Sequence, residues 1–375
     1  MHDILQELKT RLQEINDLGS ATSLLHWDQA TYMPPKGAAA RARQLATLSR
    51  LSQEKFVDPA IGKLLDQLEP WAEEQPYDTD DASLIRVVRR DYEEAIKIPT
   101  AFMAEFSEHS ALSYQAWAKA RPENDFASLQ PILEKTLDYS RQLADFFPGY
   151  EHIADPLIDF ADYGMKASDV RVLFGELRQQ LSPIVQAISE QAPADDACLR
   201  QVFPEAEQLQ FSEEVVRQLG YDFQRGRMDK THHPFMTKFS LGDVRITTRV
   251  KEEFLGECLY SVIHEGGHAM YEQGIRREFE GLPLASGTGM GVHESQPLDK
   301  TQRTEYNQHR QRKTNPVGDQ KQGINYENPD LRYTRSSPER SKDPQNPPKK
   351  RSEAGACTSA LPGTDDLLCQ CAPHG

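Results

Sequence analysis

The chain has 375 residues, enough to bury a large core in one large domain or two smaller ones. Its net charge of −15 and pI near 5.3 argue against nucleic acid or an anionic membrane surface as a partner. The sequence has no apolar run of about 18 residues to span a bilayer, no secretory signal pattern and no disulfide framework. We therefore expect a cytoplasmic protein without a membrane partner.

Residues 1–220 have the pattern of a succession of helices. Apolar residues recur at steps of three and four, which is typical of amphipathic helices with one buried face. Gly19 is predicted to end the first helix, and Ser168 with Asp169 to cap a later one. The predicted helices span 1–18, 37–51, 61–68, 82–98, 100–120, 126–147, 170–188 and 212–219. The fold is therefore predicted to be mainly α.

The pattern changes once, between residues 235 and 250. Two short β-branched, alternating segments, 235–240 and 244–250, are joined by Leu241-Gly242-Asp243, and this arrangement predicts a β-hairpin. An exposed strand edge can hydrogen-bond an extended peptide backbone. We expect a small sheet beside the segment that follows.

That segment, residues 251–274, contains the sequence His264-Glu265-Gly266-Gly267-His268 within an apolar helical pattern. Residues four apart lie one above the other on a helix, so His264 and His268 can direct ring nitrogens at one point. Two neutral imidazoles with an open position are typical of a catalytic zinc site, where a carboxylate such as Glu265 takes a proton from water. The alternative is a helix whose two histidines face solvent or a polar core.

The glycines and a downstream carboxylate favour the metal site. Gly266 and Gly267 are poor helix formers, so their presence in an apolar helix indicates that another element packs closely there. Glu294 follows His268 by 26 residues and is predicted to be the third ligand. His293 is expected to shape the turn before Glu294 rather than to bind metal.

Several motifs together resemble the M32 metallocarboxypeptidases over roughly residues 1–296. They occur in the order found in that family. They are Trp27-Asp28-Gln29 with Met33-Pro34, Leu219-Gly220-Tyr221-Asp222 with Gly226-Arg227-Met228-Asp229, His233-Pro234-Phe235, Asp243-Val244-Arg245-Ile246-Thr247, the 264–268 segment, and His293-Glu294-Ser295-Gln296.

The resemblance implies an almost wholly helical, zincin-like fold with a deep groove and a small sheet, forming a homodimer. It implies removal of residues from peptides with a free C-terminus, with zinc or sometimes cobalt as the cofactor. His264, His268 and Glu294 would bind the metal, and Glu265 would be the general base.

Roles close to the site remain open for three further matching residues, His233, Asp243 and Arg245. Asp243 could hold a zinc histidine by its second ring nitrogen, which would make it a support for the ligand. Arg245 could brace that carboxylate or the substrate, and an ion pair with a structural role is an equal alternative.

The resemblance stops at Gln296. Residues 297–375 contain no Phe, Trp or Met, hold nine prolines, and carry a charge of +3, against −18 for residues 1–296. Such composition predicts a disordered, low-complexity tail. A genuine extension, a divergent replacement domain and a shifted reading frame are the alternatives, and the abruptness of the change favours the shifted frame. Two later motifs of the family do not occur in these residues.

Two functions follow from these observations. The first is a zinc metallocarboxypeptidase composed of a helical domain, residues 1–296, that is C-terminally incomplete. The second is a truncated, inactive helical protein that still binds zinc, because groups expected to stabilise the transition state belong to the family's later part. A helical binding module without a metal is a third alternative.

Overall fold

The structure is a computed structural model that describes residues 1–287 and 289–295. Helices dominate the described part, as predicted, and residues 290–295 are also helical. The longer helices are α1 (His2–Thr31), α2 (Ala38–Phe56), α3 (Pro59–Glu73), α4 (Asp80–Ala95), α5 (Thr100–Glu123), α6 (Phe126–Asp145), α7 (Asp155–Ala161), α8 (Ala167–Ser189), α9 (Glu205–Leu219) and α10 (Leu255–Gln273). The strands are β1 (Met228–Lys230), β2 (Met236–Ser240) and β3 (Asp243–Thr248).

The prediction that Gly19 ends the first helix is wrong. Helix α1 continues to Thr31 and buries Thr22, Trp27 and Gln29 beyond the glycine. A glycine inside a helix costs only about 1 kcal/mol relative to alanine, and burial of the later residues offsets that cost. The helix ends just before Pro34 and Pro35, which lack the backbone N–H that would continue it.

The predicted cap of α8 is also misplaced. The N-cap is Lys166, and Ser168 and Asp169 lie inside the first turn. Asp169 still contributes to the cap, because its Oδ2 accepts a hydrogen bond from the backbone N–H of Lys166 at 3.2 Å. The short helix α7, just before α8, was not predicted.

Two buried clusters organise the described residues. The larger one joins apolar residues of α1, α3, α4, α5 and α6, among them Leu8, Leu65 and Val88, each fully buried. The smaller one joins α9, α10 and the sheet through Val216, Val244 and other buried residues. This second cluster fixes α10 against α9 and the sheet.

The predicted hairpin is present, within a three-stranded sheet of order β1-β3-β2. Strand β2 pairs antiparallel with β3, with a register irregularity between Lys238 and Ser240. Strand β1 pairs parallel with β3 and was not predicted, since three residues carry no readable alternation.

No helix of residues 1–287 and 289–295 is long and apolar enough to cross a membrane. The predicted boundary at residue 296 and the predicted tail, 297–375, lie outside the described residues.

Candidate metal centre

Helix α10 is held close to α9 at its middle, where the glycines stand. A Cβ atom at Gly266 would lie 2.3 Å from Cγ2 of Val216 on α9. The expectation that another element packs closely against this glycine is therefore confirmed, and it explains why a poor helix former stands in a buried helix.

His264 and His268 face the same point from successive turns of α10, and Glu294 approaches from the helical residues 290–295. One ligand atom from each of the three side chains lies within 4.8 Å of the other two. The two imidazole rings are nearly perpendicular, with centroids 4.8 Å apart. His268 Nε2 lies 3.7 Å from Glu294 Oε2. The structure thus brings the three predicted ligands together.

This donor set fits a divalent cation. Bonds of about 2.0–2.2 Å in a tetrahedral site place two donor atoms roughly 3.4 Å apart. The His268–Glu294 distance of 3.7 Å therefore needs little change, and a separation of 4.8 Å needs about 1.4 Å of closure. Burial, followed by the nearby His293 and His264, lowers the pKa of His268 to about 3. The imidazole is therefore neutral near pH 7, which is the form that binds a metal.

Glu265 follows the first ligand, His264, on α10 and is buried. It is 7% exposed, and the backbone N–H of Met236 in β2 donates a hydrogen bond to its carboxylate. Burial, reinforced by the charge of Glu294, raises the pKa of Glu265 to about 8. A carboxyl group of this kind can exchange a proton near neutral pH.

Glu294 is the most exposed of the three ligands. Its side chain is 48% exposed, against 7% for that of His268. Of the two ligands on α10, His268 is buried and His264 is half-buried.

Near the ligands lies an ion pair, Lys238–Glu272, that the sequence analysis did not identify. Lys238 Nζ of β2 donates a 2.6 Å hydrogen bond to Glu272 Oε2 of α10. Glu272 Oε1 lies 3.8 Å from His293 Nδ1, and the His293 ring stacks on His268 with centroids 4.3 Å apart. No motif predicts this pair, because its members are 34 residues apart and meet only in the folded chain.

Asp243 is not the partner of His268. Arg245 donates to both carboxylate oxygens of Asp243 at 2.8 Å, while Nδ1 of His268 is buried without a hydrogen-bond partner among the described residues. The guanidinium of Arg245 also stacks over the ring of Trp27 at 4.5 Å. Arg245 thus braces the Asp243 carboxylate, a contact that the bracing role and the structural ion pair have in common.

His233 is exposed in the loop before β2 and contacts the edge of the Trp117 ring, with centroids 6.3 Å apart. The Asp243–Arg245 pair belongs to β3, next to β2 in the sheet. Asp243 and Arg245 thus lie on the small sheet that packs against α10.

A mainly helical fold, a His-Glu-x-x-His helix and a glutamate from the following segment define a helical protein of the metallopeptidase class. A family profile described as "Carboxypeptidase Taq (M32) metallopeptidase" matches residues 7–300. The chain belongs to this family, and the resemblance seen in the sequence is confirmed.

The relatives extend beyond the part they share with this chain. The chain is 35% identical over 302 residues to thermostable carboxypeptidase 1 of Thermus thermophilus, a match that covers 78% of the chain and 59% of the relative. It is 32% identical over 299 residues to carboxypeptidase 1 of Bacillus subtilis, covering 80% of the chain and 59% of the relative. The chain thus spans about three fifths of the length of these curated relatives.

Solved structures agree in fold. The M32 carboxypeptidase from Deinococcus radiodurans R1 is 46% identical, with a TM-score of 0.68 and coverage of 79% of this chain and 59% of that one. The carboxypeptidase of Pyrococcus furiosus is 28% identical, with a TM-score of 0.69 and coverage of 79% and 60%. The mainly helical fold with a small sheet is therefore confirmed.

Proposed function

We propose that the described residues form the metal-binding part of a zinc metallocarboxypeptidase, which releases amino acids from the C-termini of peptides. The observation that carries this proposal is the meeting of His264, His268 and Glu294 within 4.8 Å. Membership of the M32 family supports a divalent cation at that point. Zinc suits two imidazoles and one carboxylate, and cobalt is accepted by similar donors.

His264, His268 and Glu294 hold the cation. When bound, it supplies Lewis acidity that lowers the pKa of a water and polarises the scissile carbonyl. Glu265 takes the proton from the nucleophilic water and returns it to the leaving amine. The Met236 N–H orients the Glu265 carboxylate for both transfers.

The exposed side of Glu294 admits the peptide, and the sheet next to α10 carries groups that can orient it. Arg245 is held by Asp243 and Trp27 in a fixed position, so we assign this pair to shaping the groove wall. His233, which is exposed beside Trp117, is assigned to contact with the substrate. The substrates are peptides with a free C-terminus.

Metal analysis of the purified chain and peptide hydrolysis test the proposal. We expect one zinc per chain, release of the terminal residue from a free peptide, and no release from the same peptide with an amidated C-terminus. Glu265→Gln is expected to keep the zinc and lose hydrolysis by about 100-fold or more. Equal cleavage of the amidated peptide would identify an endopeptidase instead.

A second candidate is an inactive chain that binds zinc without turnover. It is favoured by one observation: the chain spans 59% of the relatives' length, and the family's two later motifs do not occur in residues 297–375. Bound zinc together with no chelator-sensitive hydrolysis would support this candidate. Translation of the alternative reading frames after codon 296 tests whether the missing motifs follow in the gene.

The family resemblance further supports a homodimer in the cytoplasm for the complete fold. Sedimentation equilibrium of the chain gives the oligomeric state, and fractionation of the producing cell gives the compartment. A monomer over the whole concentration range would contradict the dimer.

A further inference from the structure

The third metal ligand differs from the other two in how it is positioned. His264 and His268 are fixed relative to each other by the geometry of α10 alone. Glu294 lies on residues 290–295, beyond a connection that begins after Gln273. Its place next to the histidines therefore depends on contacts that hold this connection against α10.

The Lys238–Glu272 pair supplies such contacts. Lys238 donates to Glu272 Oε2 at 2.6 Å and, with the same ammonium group, to the backbone carbonyl of Ala285 at 2.5 Å. Ala285 belongs to the short helical turn Pro283–Ala285 within the connection. One charged group from β2 thus joins α10 and the connection at a single point.

Glu272 also lies against the connection. Its Oε1 lies 3.8 Å from Nδ1 of His293, the residue that precedes Glu294. A Cβ atom at Gly287 would lie 3.2 Å from the same Oε1 and 2.8 Å from Cε1 of Tyr271. The connection therefore lies directly on the last turn of α10 near Glu272.

Burial makes these contacts consequential. The side chain of Glu272 is 6% exposed and that of Lys238 is 21% exposed, so water cannot fully replace either partner. Loss of Lys238 would leave a buried carboxylate without its cation, and the Ala285 carbonyl without its donor. The connection would then lose the contact that holds it to the end of α10.

We propose that Lys238 and Glu272 are positioning residues for the third metal ligand: they hold the connection and His293 against α10 so that Glu294 faces His264 and His268. This inference rests on the proposed metal site. It assigns neither residue a contact with the metal or the substrate.

Zinc titration of the full chain tests the proposal. In competition with a chromophoric chelator, Lys238→Met and Glu272→Gln are each expected to raise the zinc Kd by roughly 10- to 100-fold. The matched control is Lys230→Met in β1 of the same sheet, where Lys230 pairs with Glu205 at 2.6 Å but both side chains are largely exposed. The control is expected to bind zinc as the wild type does.

A second measurement separates positioning from a general loss of structure. In a Glu294→Ala background, Lys238→Met is expected to have no further effect on the zinc Kd, because the ligand it positions is already gone. The visible absorption of Co²⁺ bound to Lys238→Met or Glu272→Gln is expected to shift toward that of Glu294→Ala. Either variant suffices if the other does not fold.

Three results would overturn the inference. They are a wild-type zinc Kd in a folded Lys238→Met or Glu272→Gln chain, an equal loss in the Lys230→Met control, and a full further loss of affinity in the Glu294→Ala background. Absence of zinc binding by the wild type itself would overturn the proposed function as well, so the two failures are distinguishable.

Discussion

Gly266→Ala is expected to destabilise the chain although alanine is the better helix former. The new Cβ would lie 2.3 Å from Cγ2 of Val216, well inside van der Waals contact. Val216 is fully buried in α9, and a β-branched side chain has one strongly preferred rotamer in a helix, so it cannot turn away. The helices must therefore move apart.

The expected change in the free energy of unfolding is the difference between a cost and a gain. Overpacking of a buried contact costs about 1–3 kcal/mol, and replacement of glycine by alanine inside a helix returns about 1 kcal/mol. We expect a net loss of up to about 2 kcal/mol in the free energy of unfolding. Urea denaturation followed by far-ultraviolet circular dichroism measures it.

Gly19→Ala in α1 is the matched control. No atom lies within 4 Å of the position of its Cβ, so the helical gain is unopposed and the variant should be more stable by up to about 1 kcal/mol. Val216→Ala removes the clashing methyl group, so the double variant with Gly266→Ala should lose at least about 1 kcal/mol less than the sum of the single losses. Equal stabilisation by both alanine variants would refute the reasoning.

Two further predictions concern the charge of the Glu94 carboxyl group and the exposed apolar residues of α8. Burial raises the pKa of Glu94 to about 7 from 4.5, so its contribution to stability is full below pH 4.5 and is lost as the pH rises through about 7. Glu94→Gln should therefore match the wild type at about pH 4 and exceed it in stability by on the order of 2 kcal/mol at about pH 8, measured as urea midpoints at both values. An equal difference at both values would contradict this. On α8, Ile184 and Ile188 are 54% and 66% exposed within a row of exposed apolar residues. Replacement of both by lysine should reduce light scattering by a concentrated solution of the chain, because it interrupts this apolar face. The control pair, Gln179→Lys with Gln180→Lys, should reduce the scattering less. Equal reduction by both pairs would show that removal of the exposed apolar residues is not the cause.

Local patterns in the sequence predicted the centre of the site because its geometry is itself local. The four-residue spacing of His264 and His268 specifies one helical face without reference to any other part of the chain. Glu294 was predicted from its motif alone, and the structure places it 3.7 Å from His268. The general fold was predicted for the same reason, since helical periodicity repeats within each segment.

The errors occurred where non-local contacts decide the outcome. Gly19 has the local character of a helix end, yet burial of Trp27 and its neighbours carries α1 onward. Strand β1 exists because Met228 pairs with Ile246 of β3, a partner that no nearby residue indicates.

This division between local and non-local geometry implies that stability and metal affinity respond to different residues. Gly266 sets the distance between α10 and α9, so a change there acts on the free energy of unfolding while the two histidines keep their mutual spacing. Lys238 joins β2, α10 and the connection to Glu294, so a change there acts on the position of one donor. Because the third donor reaches the site only through such contacts, a folded chain with intact histidines can still bind metal weakly. Measurement of both quantities on both variants separates the two contributions, and a proportional loss of stability and affinity in each would show that the centre and the core behave as one unit.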